Sequence, residues 1–138
     1  MFVMKSATRL RVARPTDHLA DVVRFYRDGV GLKEIGSFQD HEGFDGVMLG
    51  VPGASYHLEF TRQHGHTVGR ASTEENILVL YLPSRQEWQA AIDRMVGAGY
   101  TPVAAYNPTG IVQGARSNIR KVIVSLANSY SCGNRRLE

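Results

Sequence analysis

The chain is predicted to adopt an α+β fold made of two tandem copies of one unit, and three observations carry that expectation. Pro15-Thr16 is answered 68 positions later by Pro83-Ser84. Gly29-Val30-Gly31 is answered at the same offset by Gly97-Ala98-Gly99. Between these markers each copy has an amphipathic helical stretch, and before them a short apolar run, Arg9 to Ala13 and Ile77 to Leu82. A duplicated unit has a seam between its halves, and seams between repeats are where concave ligand sites tend to form.

The first module spans residues 8–62. Arg9 to Ala13 alternates polar and apolar, with Leu10 and Val12 on one face and Arg9 and Arg11 on the other. Pro15 stops this strand, Thr16 is the expected N-cap, and Leu19, Val22, Val23 and Tyr26 form the apolar stripe of a three-turn helix. Gly29 and Gly31 end it. Strands are then expected over Leu32–Phe38, Val47–Val51 and Tyr56–Thr61, separated by a polar loop through Asp40-His41-Glu42-Gly43 and a Pro52-Gly53 turn.

Residues 63–75 are polar and carry Gly65 and Gly69, so they read as a linker. The second module, 76–128, restarts with Ile77 to Leu82, apolar on both faces as in a strand buried on both sides. Ser84 and Glu87 have the spacing of a capping box, and Trp88, Ala91, Ile92 and Met95 form the buried helix stripe. Thr101 to Tyr106 is the next expected strand. Of the two strands still needed, Lys121 to Leu126 supplies one, while Thr109 to Ile119 has two glycines and no clean alternation.

The length of 138 residues suits a single domain, and 43% hydrophobic residues suffice for a core without staples. Met1 to Ser6 is too short and polar for a signal peptide, no apolar run approaches a membrane span of ~20 residues, and the lone Cys132 has no internal partner. A cytoplasmic protein without a membrane partner is expected. The net charge of +3 is confined to the tail: residues 1–108 carry 11 Lys/Arg against 12 Asp/Glu, and residues 109–138 carry five against one. That distribution argues against a nucleic-acid-binding face, which spreads basic and aromatic side chains over a folded surface.

Two strand-helix-strand-strand-strand modules, with Phe25-Tyr26-Arg27-Asp28 before Gly31-Leu32 and with Tyr56-His57-Leu58-Glu59-Phe60 closing the first, resemble the vicinal oxygen chelate superfamily of glyoxalases, bleomycin-resistance proteins and extradiol dioxygenases. The likeness covers Thr8 to about Pro108. It implies two βαβββ modules forming a curved, cup-like mixed sheet with helices on its outer face, and a homodimer. It does not imply one function, because that scaffold hosts isomerases, dioxygenases, transferases and plain binding proteins.

In metal-dependent members the ligands come from the first and last strands of each module, and the matching positions here are Arg11, Glu59, Val79 and about Ala127. Only Glu59 has a donor suited to a divalent ion, whereas a catalytic site needs about three protein ligands. No cofactor is therefore expected. The alternation of the strand puts His57, Glu59 and Thr61 on one face and Tyr56, Leu58 and Phe60 under the helix, so Glu59 faces the cup together with Arg11. The expected ligand pocket is Arg11, His57, Glu59 and Val79, holding a polar-ended small molecule. A metal-dependent lyase, isomerase or dioxygenase using Glu59 with Zn, Ni, Mn or Fe stays open, as do a structural Arg11–Glu59 ion pair and a dimer with no ligand chemistry.

Other constellations are weaker. His64-Gly65-His66 with His41 or His57 could gather a metal but reads as solvated loop; His18 reads as surface and Trp88 as core. Asp40, Glu42 and Asp45 have little around them to raise a pKa. After Pro108 the repeat and the charge balance break together. A one-base shift in codons allowed for Thr109-Gly110-Ile111-Val112 permits Tyr-Trp-Asp-Arg, similar to the family's continuation, so the tail is expected to be out of frame, with plain divergence as the alternative. An intact frame through this region in the source gene would end that expectation.

Overall fold

The structure is a computed structural model and describes residues 9–70, 76–102, 120–125 and 130–133. It divides into two compact units, Met1–Gly69 and Arg70–Glu138. The fold is α+β.

In the first unit β1 (Leu10–Pro15), α1 (Leu19–Arg24, continued by a π-helical turn over Phe25–Val30), β2 (Lys33–His41), β3 (Phe44–Gly50) and β4 (Tyr56–Gln63) follow in order. They form one open mixed sheet ordered β1-β4-β3-β2, with β1 parallel to β4 and the other pairs antiparallel. This is the expected strand-helix-three-strand module.

The helix starts later than expected. Thr16 does not cap it; its Oγ1 accepts from the His18 backbone N–H at 3.0 Å, and His18 occupies the N-cap without a side-chain bond. A threonine hydroxyl that closes a local turn two residues ahead competes with capping, which moves the start. The second half of the helix widens into the π turn, where Leu32 N–H donates to the Tyr26 carbonyl, and Gly31 closes it at φ 89°. That turn buries Phe25, Tyr26, Gly29 and Val30, more than a regular stripe provides. Tyr26 is 1% exposed and lies between Phe25, edge-on at 5.1 Å, and Phe60 of β4 at 4.7 Å. Val22, Val23, Leu49, Leu58 and Phe60 complete the core between α1 and the sheet.

The segment expected as a loop, Asp40 to Gly43, is a tight hairpin instead. Glu42 and Gly43 have φ of 52° and 85° and form a two-residue turn between His41 and Phe44, which extends both strands. Two consecutive positive φ values suit the twist of a hairpin, and Asn-Gly rather than Glu-Gly is the usual signal for it. A bulge just before the turn places Asp40 at φ 45°, and its N–H donates to Asp45 Oδ1 at 2.8 Å.

Past β4 the chain is tied back to the start of the module. Asp17 accepts from the backbone N–H groups of Val68 and Gly69, both at 2.8 Å. These bonds hold the Asp17 carboxyl below its ordinary pKa. A carboxyl whose folded pKa is depressed contributes stability above its unfolded pKa of about 3.9 and loses it as pH falls through the folded value. We expect Asp17→Ala to flatten the acid limb of the stability curve below about pH 4 and to speed amide exchange at Val68 and Gly69 at neutral pH. Unchanged exchange at those two amides would contradict the tie.

In the second unit β5 (Ile77–Leu82) leads into α2 (Arg85–Gly97), followed by β6 (Arg120–Ser125) and β7 (Tyr130–Gly133). Ser84 caps the helix as expected, its Oγ accepting from Glu87 N–H, but the Glu87 side chain reaches back to the Ser84 hydroxyl, Oγ donating to Glu87 Oε2, rather than to the Ser84 backbone N–H of a full capping box; both bonds are 3.1 Å. Trp88, Ala91 and Met95 are the buried stripe. Gly99 has φ 92°, matching Gly31 at the 68-residue offset and placing the same left-handed stop after both helices. The repeat then departs, because β5 pairs β6 antiparallel, in the order β5-β6-β7, where β1 pairs β4 parallel. Thr101 and Pro102 are not strand, and residues 103–119, with Leu126 and Ala127, lie outside the described residues.

Candidate functional site

The first-unit sheet has two faces. α1 covers the one that carries Val12, Leu49, Leu58 and Phe60. The other is fixed by register and period-two alternation into three cross-strand rows. Arg11, His57, Gly50 and Lys33 form the first row, Ala13, Glu59, Met48 and Gly36 the second, and Pro15, Thr61, Gly46 and Phe38 the third.

Glycines lower the floor of this face, and larger neighbours lie across them. A Cβ at Gly36 would come 2.8 Å from Met48 Cε, one at Gly46 would run into the Phe38 ring, and one at Gly50 would sit 3.1 Å from His57 Cβ. The half-buried Phe38 and Met48 thus make an apolar floor beside a polar corner.

The corner is organised by Arg11. Its Nε donates to His57 Nε2 at 3.0 Å and its Nη1 to Glu59 Oε2 at 3.3 Å. Both contacts follow from the pairing of parallel neighbours, since Arg11 stands opposite His57 and Glu59 lies two residues further along the same face. The Arg11 side chain is 52% exposed and that of Glu59 12%. A guanidinium has no acceptor, so the bond to Nε2 requires the imidazole lone pair there and puts the ring proton on Nδ1. His57 is 5% exposed, and its buried Nδ1 has no hydrogen-bond partner.

This donor set does not suit a divalent cation. The His57 Nε2 lone pair and a Glu59 oxygen are both engaged by Arg11, a permanent cation that repels a second one. Among the described residues no three His, Cys, Asp or Glu side chains gather as a metal site. Val79 lies in β5 of the second unit, half-buried and opposite Ile123 in register.

The histidine loop is exposed, as expected, and it also makes specific contacts. His64 is drawn to the hairpin, with Nε2 2.9 Å from Asp45 Oδ1 and Nδ1 3.5 Å from Asp40 Oδ1. The Asp40 N–H, with His64 second, holds the Asp45 carboxyl below its ordinary pKa. His41 faces the Phe38 ring edge-on at 6.1 Å. The histidines therefore do not form a cluster. Trp88 is core and His18 exposed, as expected.

Residues 10–61 match the YycE-like N-terminal domain and residues 75–114 the YycE-like C-terminal domain. The uncharacterized protein YycE of Bacillus subtilis is 42% identical over 102 residues, which are 74% of this chain and 73% of that protein. The chain belongs to the YycE-like family. The 2.0 Å crystal structure of B. subtilis YycE, described as a protein of unknown function and a putative glyoxalase/fosfomycin resistance protein, has a TM-score of 0.72 at 36% identity and is matched over 91% of this chain and 88% of that one. Two more distant structures share the fold. Trypanothione-dependent glyoxalase I of Leishmania major has a TM-score of 0.57 at 16% identity over 92% and 85% of the two chains. A mutant of the fosfomycin resistance protein FosX of Listeria monocytogenes, complexed with Mn(II) and a dihydroxypropylphosphonic acid, has 0.53 at 10% over 94% and 91%. The YycE-like chain is thus a member of the vicinal oxygen chelate superfamily, with the α+β glyoxalase-like fold.

Proposed function

We propose that this YycE-like protein binds a polar-ended small molecule and does so without a metal, in the manner of the non-enzymatic binding members of its superfamily. The observation that carries this reading is the Arg11 fork. One guanidinium holds His57 Nε2 and Glu59 Oε2 together at a position where a metal-dependent relative would need electron-pair donors. The buried and unpartnered His57 Nδ1 adds a polar atom that calls for an acceptor, and the Met48 and Phe38 floor suits an apolar ligand body.

A thermal-shift screen of small molecules and divalent metals tests the proposal. Ligand at a hundredfold excess over its Kd stabilises the folded state by about 2.7 kcal/mol, which is easily seen in Tm. Stabilisation by organic ligands that disappears in Arg11→Ala is expected. Stabilisation by Zn, Ni, Mn or Fe that disappears in Glu59→Gln would favour a metal-dependent enzyme instead.

A further inference from the structure

We propose that the site selects a neutral polar group presenting a carbonyl oxygen beside an N–H, of which a primary carboxamide is the simplest, over a carboxylate or other anion; this rests on the small-molecule reading above. The atoms that remain available set the preference. Arg11 uses Nε and Nη1, leaving its Nη2 donors on a half-exposed side chain, and Glu59 uses Oε2, leaving Oε1 without a partner. A donor edge and an acceptor atom therefore remain on the two partners of one ion pair. That pattern complements a group that both accepts and donates.

Charge points the same way. The positive charge of Arg11 is matched by Glu59, which is 9% exposed, so an incoming anion would add a second negative charge beside a buried carboxylate. Two carboxylates sharing one small site repel strongly. Lys33 lies in the same row but three strands from Arg11, about 14 Å at ordinary strand spacing, and is exposed. At that distance and exposure it is screened by salt and does not offset the repulsion. A carbonyl oxygen satisfies the remaining Arg11 Nη2 donors at no cost in charge.

The test is a matched pair of probes, 3-phenylpropanamide and 3-phenylpropanoate, titrated into the full chain and followed by NMR at Arg11, His57 and Glu59. The amide is expected to bind at least about tenfold more tightly than the acid. Glu59→Gln removes the negative charge but keeps the shape, and should reverse the order. Glu59→Asp keeps the charge and should retain it. Acid binding equal to or tighter than amide binding in the unaltered chain overturns the inference while leaving small-molecule binding intact, and that comparison stands even if a variant does not fold. Failure of both probes to move those resonances at millimolar concentration overturns the inference together with the reading it rests on.

Discussion

Replacement of Tyr26 by Ala is expected to cost about 3–5 kcal/mol of stability, the range for deleting a fully buried aromatic ring. Its side chain is 1% exposed, packs on the Phe60 ring at 4.7 Å and meets Phe25 edge-on, so its loss opens a cavity that joins helix to sheet. Domains of this size are stable by about 5–15 kcal/mol in all, so the variant should unfold at a much lower urea concentration. Far-UV circular dichroism follows both units, while Trp88, the one tryptophan, reports the second. Burial also pushes the Tyr26 phenol well above the usual tyrosine range, so it should stay un-ionised in an alkaline titration until the first unit unfolds. A Tyr26→Ala variant within about 1 kcal/mol of the parent would contradict the packing described.

Arg11→Met is expected to destabilise the first unit by about 1–3 kcal/mol and to abolish ligand-dependent stabilisation. The loss strands the Glu59 carboxylate, which is 9% exposed, and takes from His57 the donor to its Nε2. The figure stays below that for breaking a fully buried pair because the Arg11 side chain is 52% exposed and water reaches it. Glu59→Gln introduced into Arg11→Met should recover most of the stability, since no charge then remains unpaired. A double-mutant cycle in urea measures this coupling. Additive losses would show that the two side chains act independently.

The repeat and the polar face of β4 were legible because they rest on period. Alternation of Tyr56-His57-Leu58-Glu59-Phe60 places Glu59 opposite the helix-facing Leu58 and Phe60, and the structure joins Glu59 to Arg11 at 3.3 Å. The left-handed Gly31 and Gly99 were marked by their own type after each helix pattern. What was not legible depends on contacts between distant residues. The bond from Arg11 to His57 needs the parallel register of β1 and β4, which no local pattern encodes. The hairpin at Glu42-Gly43 was hidden because glutamate is an unusual occupant of a left-handed position. Asp45 reaches back to the Asp40 amide and His64 then folds onto both carboxylates, so a polar stretch that read as loop is structured. Met48 and Phe38 were missed as site residues, although the glycines they cover, Gly36 and Gly46, were available as a signal in otherwise strand-like runs.

The claim that an arginine–carboxylate pair stands where relatives would hold a metal is tested most directly by the metal content of the chain purified without chelator, measured by inductively coupled plasma mass spectrometry. The account expects far less than one equivalent of Zn, Ni, Mn or Fe per chain, the same in Glu59→Gln as in the parent. One equivalent that is lost in Glu59→Gln would contradict it.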